Sequence, residues 1–205
     1  AGSLPGDMHK LWRTVNGNQY HMEYGYSCMG YEIAGGLGIR LAKDNGDVIV
    51  MVGDGSFLML NSEIVTALQE NIKIIIVLIN NHGFGSINGL SISLGSKGFG
   101  NLYCERDHQT GDYSGNKLPI NFTKLAESYG IKGIRVEDRN KLKEALEVAR
   151  NNNFSYLIEV SVDSEVRVPG YEAWWNVPVA EVSEMPSVEE ARVEYEKRLK
   201  DEREF

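Results

Sequence analysis

Val50-Met51-Val52-Gly53-Asp54-Gly55-Ser56 and, beyond residues 56–79, Asn80-Asn81-His82-Gly83 are the two stretches on which the reading of this chain turns. Each closes an apolar run, the second of them Ile74-Ile75-Ile76-Val77-Leu78-Ile79. Continuous runs of Val and Ile without polar alternation read as strands covered on both faces, the habit of parallel sheets. Four such strands are expected, over residues 47–53, 73–80, 133–136 and 156–162. Helical stripes lie between them. Ile64, Val65 and Leu68 mark a helix over 62–70 with Asn61 as its N-cap. Phe122, Leu125, Ala126 and Tyr129 mark a second, and Leu142, Leu146 and Ala149 a third after Asn140. The alternation predicts an α/β fold, a doubly wound and mainly parallel sheet with helices on both faces.

Two regions stand outside this alternation. Residues 82–117 are polar and Gly-rich, too long for an ordinary connection, and read as a cover over a site with a short helix near 86–94. Residues 187–201 carry Val188, Ala191, Tyr195 and Leu199 on one face. They predict a C-terminal amphipathic helix, 187–205, packed on a body of residues 1–186.

Composition removes several classes of function. The chain has 205 residues, 21 Lys plus Arg against 29 Asp plus Glu, and a formal charge of −8. It has no compact basic cluster, so nucleic acid is not an expected partner. The longest apolar run, near 72–79, is too short to span a bilayer, so no membrane partner is expected. Cys28 and Cys104 are too few for a disulfide framework or a four-ligand zinc site, and read as reduced thiols in a cytoplasmic protein. The opening Ala1-Gly2-Ser3-Leu4 has neither Met nor a signal-peptide pattern and reads as the interior of a longer chain.

The chemistry lies at the two strand ends. Ligands in open α/β sheets bind beyond the C-terminal ends of the strands, and glycine amides there can approach a phosphate closely. The dinucleotide fingerprint G-x-G-x-x-G is incomplete, because Leu58 occupies the third glycine's place. Asp54 would also repel a bare diphosphate. A divalent cation between them removes the conflict. Neighbouring parallel strands bring their ends together, so Asp54 and Asn81 can face one ion with hard oxygen ligands. Mg²⁺ takes six oxygens, few from protein and the rest from phosphates and water. One carboxylate, one amide oxygen and a backbone carbonyl near Gly83 fit that requirement.

Gly53-Asp54-Gly55 followed at this interval by Asn80-Asn81 resembles the signature of thiamine-diphosphate enzymes. The resemblance implies Mg²⁺ held by Asp54, Asn81 and the Gly83 carbonyl, and thiamine diphosphate along Gly53, Gly55, Ser56, Gly83, Phe84 and Gly85. Upstream, Tyr26-Ser27-Cys28-Met29-Gly30-Tyr31 is similar to the family's loop between the cofactor rings. Met29 would be the wedge that bends the cofactor, the Ser27 carbonyl would accept from the aminopyrimidine, and Cys28 and Gly30 would flank the thiazolium. The glycines of Ile33-Ala34-Gly35-Gly36-Leu37-Gly38 would permit close helix–sheet packing beneath it.

Residues 1–12, residues 20–30, Gly170-Tyr171-Glu172-Ala173-Trp174-Trp175 and Val179-Ala180-Glu181-Val182-Ser183 are similar to the trihydroxycyclohexanedione hydrolases of myo-inositol catabolism. That resemblance covers the C-terminal third of such enzymes. It implies ring opening of a cyclic 1,2-dione with water to 5-deoxy-glucuronate. It also implies a homo-oligomer in which the N-terminal pyrimidine-binding domain of a partner subunit supplies the glutamate that protonates the cofactor. These residues alone would then bind cofactor weakly and turn over little. His82 and His21 are the candidate catalytic groups here, each equally readable as structural. Glu23 reads either as a contact to substrate hydroxyls or as an anchor. Other readings stay open from the sequence alone: a 2-oxo-acid decarboxylase or acetolactate-synthase-like carboligase, a nicotinamide-dependent dehydrogenase, and a non-catalytic binding module.

Overall fold

In the computed structural model, residues 2–43, 45–170 and 174–202 are described. The chain opens with helix α1 (Ser3–Leu11), crosses an extended segment, and forms α2 (Tyr31–Ala42). Strand β1 (Ile49–Gly53) runs into α3 (Asp54–Met59) and α4 (Glu63–Gln69) before β2 (Ile75–Asn80). After α5 (Gly85–Ser93) and a long covering segment come α6 (Phe122–Tyr129), β3 (Lys132–Val136), α7 (Arg139–Arg150), β4 (Tyr156–Ser161) and α8 (Pro186–Leu199).

The four strands pair in parallel in the order β1-β2-β4-β3. β2 and β4 are central, and nearly every residue of β2 is buried. Alternate residues point to opposite faces. Ile74, Ile76, Leu78 and Leu157 pack with Ile33, Leu37, Phe57, Ile64, Phe122 and Ala126 of α2, α3, α4 and α6. Ile75, Tyr156 and Ile158 face the other way, onto Ala145 and Ala149 of α7. The sheet is wound on both faces, as the apolar runs required.

Local sequence explains most element boundaries. A Cβ on Gly36 would lie 2.3 Å from the Val50 side chain, so α2 sits on β1 as closely as backbone allows. Asp138 caps α7 by accepting from the Asn140 and Lys141 amides, each at 2.9 Å, which starts that helix earlier than Asn140 suggests. Gly130 ends α6 in the left-handed conformation, at φ 102°. Asn61 corrects an expectation. Its side chain caps nothing, and its Oδ1 accepts from the Tyr129 hydroxyl at 2.7 Å, tying α4 to α6.

α8 is seated through its first turns. Val188 is buried, the Ser187 hydroxyl donates to the Gly95 carbonyl at 2.6 Å, and Arg192 donates to the Val179 carbonyl at 2.9 Å. Residues 171–173 of the tryptophan-bearing stretch, and residues 203–205 of the C-terminal segment, lie outside the described residues. Among the described residues, no helix is long and apolar enough to cross a membrane.

Candidate cofactor and metal site

β1 turns into α3 without a loop, so Asp54 is both the residue after the strand and the first of the helix. The tip of β1 therefore presents a carboxylate at a fixed position. Asp54 is 1% exposed; its Oδ1 accepts from the Gly55 amide and its Oδ2 from the Gly83 amide, each at 2.9 Å. Burial pushes its pKa up to about 6, against the lowering effect of these backbone donors. Among the described residues, no cation pairs with it within 4.0 Å. A carboxylate held this deep by amides alone is electrostatically incomplete.

The end of β2 completes the frame. His82 adopts φ 60° and Gly83 φ 149°, so the chain doubles back immediately after Asn81. One terminal atom of the Asn81 amide then lies 2.8 Å from the Gly83 carbonyl oxygen and 3.0 Å from Asp54 Oδ1. With nitrogen at that position the amide donates to both. With oxygen there, it lies from each of the other two oxygens at the spacing of adjacent ligands in an octahedral shell, about 3 Å for metal–oxygen bonds of about 2.1 Å. Among the described residues, no group of three or more His, Cys, Asp or Glu could hold a metal. The donor set is one carboxylate, one amide and one carbonyl, which suits Mg²⁺ completed by phosphate and water.

A recess beside this cluster is lined by Met29, Gly53, Asp54, Gly55, Ser56, Asn81, Gly83, Phe84 and Gly85, together with Gly2, Ser3, Leu4 and Ile87. Two of its glycines have no room for a side chain. A Cβ on Gly55 would lie 2.9 Å from the Phe84 ring, and one on Gly83 would lie 2.4 Å from the Asn101 carbonyl oxygen.

The upstream loop is fastened to the same place. Gly30, at φ 90°, donates to the Ser56 hydroxyl at 2.7 Å, and that hydroxyl donates to Glu32 Oε2 at 2.7 Å. The Ser56 side chain thus ties Met29-Gly30 and the start of α2 to α3. Glu23 anchors the other side, accepting from the Tyr26 and Cys28 amides at 2.9 and 2.8 Å. These two bonds hold its pKa below the usual carboxylate range. Ser27 and Cys28 are exposed and do not line the recess.

Neither candidate histidine reaches it. His21 Nε2 is 2.6 Å from the Tyr31 hydroxyl in a neighbouring recess. His82 lies in the fields of Lys117, Arg135 and Glu159, and its pKa is lowered by burial first and by the two cations next.

Residues 82–117 form a stapled cover. The Phe84 amide donates to the Asn101 carbonyl at 2.8 Å and the Tyr103 amide to the His82 carbonyl at 2.9 Å. Tyr103 packs edge-on against Phe84 with ring centroids 5.7 Å apart. Burial and the nearby Asp54 carboxylate raise the Tyr103 pKa to about 12. The helix read near 86–94 is α5.

Three sets of residues escape the sequence reading. Gly2, Ser3 and Leu4 line the recess because α1 begins there; Pro5 in the first turn is the signal that marks such a start. Glu32 joins through Ser56. Glu159, beneath Asn80, gives no local signal.

A parallel doubly wound sheet whose first two strand tips gather Asp54, Asn81 and Gly83 around a glycine-lined recess defines an α/β cofactor-binding domain. Residues 1–160 match the family described as thiamine pyrophosphate enzyme, C-terminal TPP binding domain, and the chain belongs to it. Among curated proteins it is 47% identical, over 100% of its length, to the 3D-(3,5/4)-trihydroxycyclohexane-1,2-dione hydrolase of Clostridium botulinum (strain Alaska E43 / Type E3), covering 32% of that protein. It is also 47% identical to the protein of the same name from Bacillus subtilis (strain 168), over 100% of this chain and 31% of that one. Among solved structures it resembles the thiamine diphosphate-dependent 4-hydroxybenzoylformate decarboxylase of Rhodococcus jostii RHA1. There the TM-score is 0.53 with 29% identity, covering 66% of this chain and 23% of that one. The chain spans about a third of the length of the curated relatives it matches.

Proposed function

We propose that this chain is the cofactor-binding part of a thiamine-diphosphate-dependent hydrolase that opens the ring of a trihydroxycyclohexane-1,2-dione to 5-deoxy-glucuronate in inositol catabolism. The observation that carries the cofactor reading is the placement of one Asn81 amide atom 2.8 Å from the Gly83 carbonyl oxygen and 3.0 Å from Asp54 Oδ1. The choice of reaction is supported by curated relatives of that name at 44–48% identity, which favour it over a decarboxylase or carboligase.

Asp54, Asn81 and the Gly83 carbonyl would hold Mg²⁺. Gly53, Gly55, Ser56, Phe84 and Gly85 would border the diphosphate, and Gly2, Ser3 and Leu4 would close its far side. Met29, fixed through Gly30 and Ser56, would wedge between the rings of the cofactor, with Ser27, Cys28 and Gly30 beside them. Bound thiamine diphosphate supplies the electron sink that lets a bond between adjacent carbonyl carbons break. His21 is held outside the recess by the Tyr31 hydroxyl and His82 does not line it, so both would act on substrate only through water or from its rim.

The rest of the relatives' length would supply a pyrimidine-binding domain from a partner subunit, in a homo-oligomer. Two free cysteines accord with a reducing, cytoplasmic setting. In calorimetric titration, thiamine diphosphate binding should require Mg²⁺ and disappear in D54A, with no binding of NADH. Adding the cyclic dione to the complete polypeptide should yield one acid per ring consumed. Binding of the cofactor without metal, or release of carbon dioxide from 2-oxo acids in preference to dione hydrolysis, would sink the respective half of the reading.

A further inference from the structure

Glu159 is fully buried in the middle of β4, in register with Leu78 on one side and Arg135 on the other. It shares a face with Leu157, which belongs to the larger core cluster. A carboxyl in such a place is unfavourable unless well partnered. Glu159 has a single hydrogen bond, from Asn80 Nδ2 to its Oε1 at 2.9 Å, and its Oε2 has no partner among the described residues. An apolar side chain of similar size would suit the core better, so the reason for Glu159 lies with Asn80.

Asn80 immediately precedes the cation loop and is itself buried. Its Oδ1 accepts from the His82 amide at 3.1 Å. That bond closes the turn in which His82 takes a left-handed backbone conformation, which non-glycine residues resist. The turn can be held this way only if the Asn80 oxygen faces outward and its NH₂ faces the sheet. A primary amide fits its space either way round, and its polarity is set by its neighbours. The acceptor beneath it is Glu159.

We propose that Glu159 is a positioning residue for the cation loop: by accepting from the Asn80 NH₂ it fixes the polarity of that amide, so that the Asn80 oxygen pins the His82 N–H and presents Asn81 and the Gly83 carbonyl to the metal. The purpose assigned to this turn rests on the cofactor reading above. The polarity of the relay does not.

Three measurements on each variant test it: hydrogen exchange of the His82 amide without ligands, Mg²⁺-dependent thiamine diphosphate binding, and the melting temperature. E159M should speed His82 exchange about tenfold and weaken binding by about tenfold or more, the usual effect of losing a support behind a metal ligand. Its melting temperature should change little, because removal of an incompletely partnered carboxyl offsets the loss of the acceptor for the buried Asn80 NH₂. E159Q keeps the acceptor and should remain near wild type. N80D sets two carboxyls against each other and should resemble E159M in exchange and binding. N80D/E159Q restores a donor facing an acceptor with the direction reversed, and should recover both.

Unchanged exchange and binding in E159M would overturn the proposal, as would N80D/E159Q no better than N80D. If E159M does not fold, the N80D and N80D/E159Q pair decides. A complete wild-type polypeptide that binds no cofactor under any metal condition would overturn the cofactor reading, while His82 exchange would still decide the role of Glu159.

Discussion

The two rims of the sheet handle charge in opposite ways. At the N-terminal rim, Asp47 is about a third exposed and meets Arg150 at 2.9 Å and Lys73 at 3.7 Å. Lys73 also donates to the Arg150 carbonyl, and the Ser155 hydroxyl accepts from the Ile74 amide while donating to the Ile72 carbonyl. Each of these groups finds its partner within the chain. At the C-terminal rim, Asp54 is almost wholly buried among amides alone, and Glu159, buried within β4, has only the Asn80 amide for a partner. One rim is finished by folding. On the proposed reading the other is finished by what binds to it, and that contrast supports the site independently of any single motif.

The contrast can be broken most directly at Asp54. D54A should weaken Mg²⁺-dependent thiamine diphosphate binding by about 100-fold or more, beyond what a supporting residue costs; calorimetry reads it, and an unchanged affinity would dissolve the distinction between the rims.

The same carboxylate should shape stability. Its pKa in the fold, about 6, lies above the unfolded value of 3.8. The ligand-free protein should therefore lose stability as pH rises from about 4 to about 6, by on the order of 3 kcal/mol from this group alone. D54N should remove that slope, and Mg²⁺ with thiamine diphosphate should counter it; denaturant melts across pH measure both.

Gly83→Ala should destabilise by about 2 kcal/mol, since its Cβ has no room beneath Asn101 and Leu102. Cofactor binding should fall with it. The smallest effect belongs to the finished rim. D47N should cost about 1 kcal/mol or less, as exposed pairs do, and leave cofactor affinity untouched. A large loss of binding in D47N would show the rims to be coupled.

Much of this was legible along the chain. The strands announce themselves because Val and Ile runs need burial on both faces, and the Asp54–Asn81 pairing follows because successive strands β1 and β2 are also neighbours in the sheet. Glu159 was illegible for the complementary reason. It reaches Asn80 only because β4 inserts between β2 and β3, a crossover that no local pattern records. Within Tyr156-Leu157-Ile158-Glu159-Val160 it is one polar residue in a strand read as covered on both faces, with nothing local to name its partner. Ser56 was legible as a site residue, but its partner Glu32 depends on how closely α2 approaches α3. Asn61 obeyed the cap pattern and was captured instead by Tyr129, a tertiary contact overriding a local preference.

The staples between the cover and the cation loop carry one more implication. Asn101 and Tyr103 are bonded to the residues on either side of Gly83, so the cover cannot swing outward without dragging along the carbonyl proposed to face the metal. Docking and sealing are then a single mechanical event. Rapid-mixing traces of cofactor association should follow one exponential, with no slower phase that is independent of concentration.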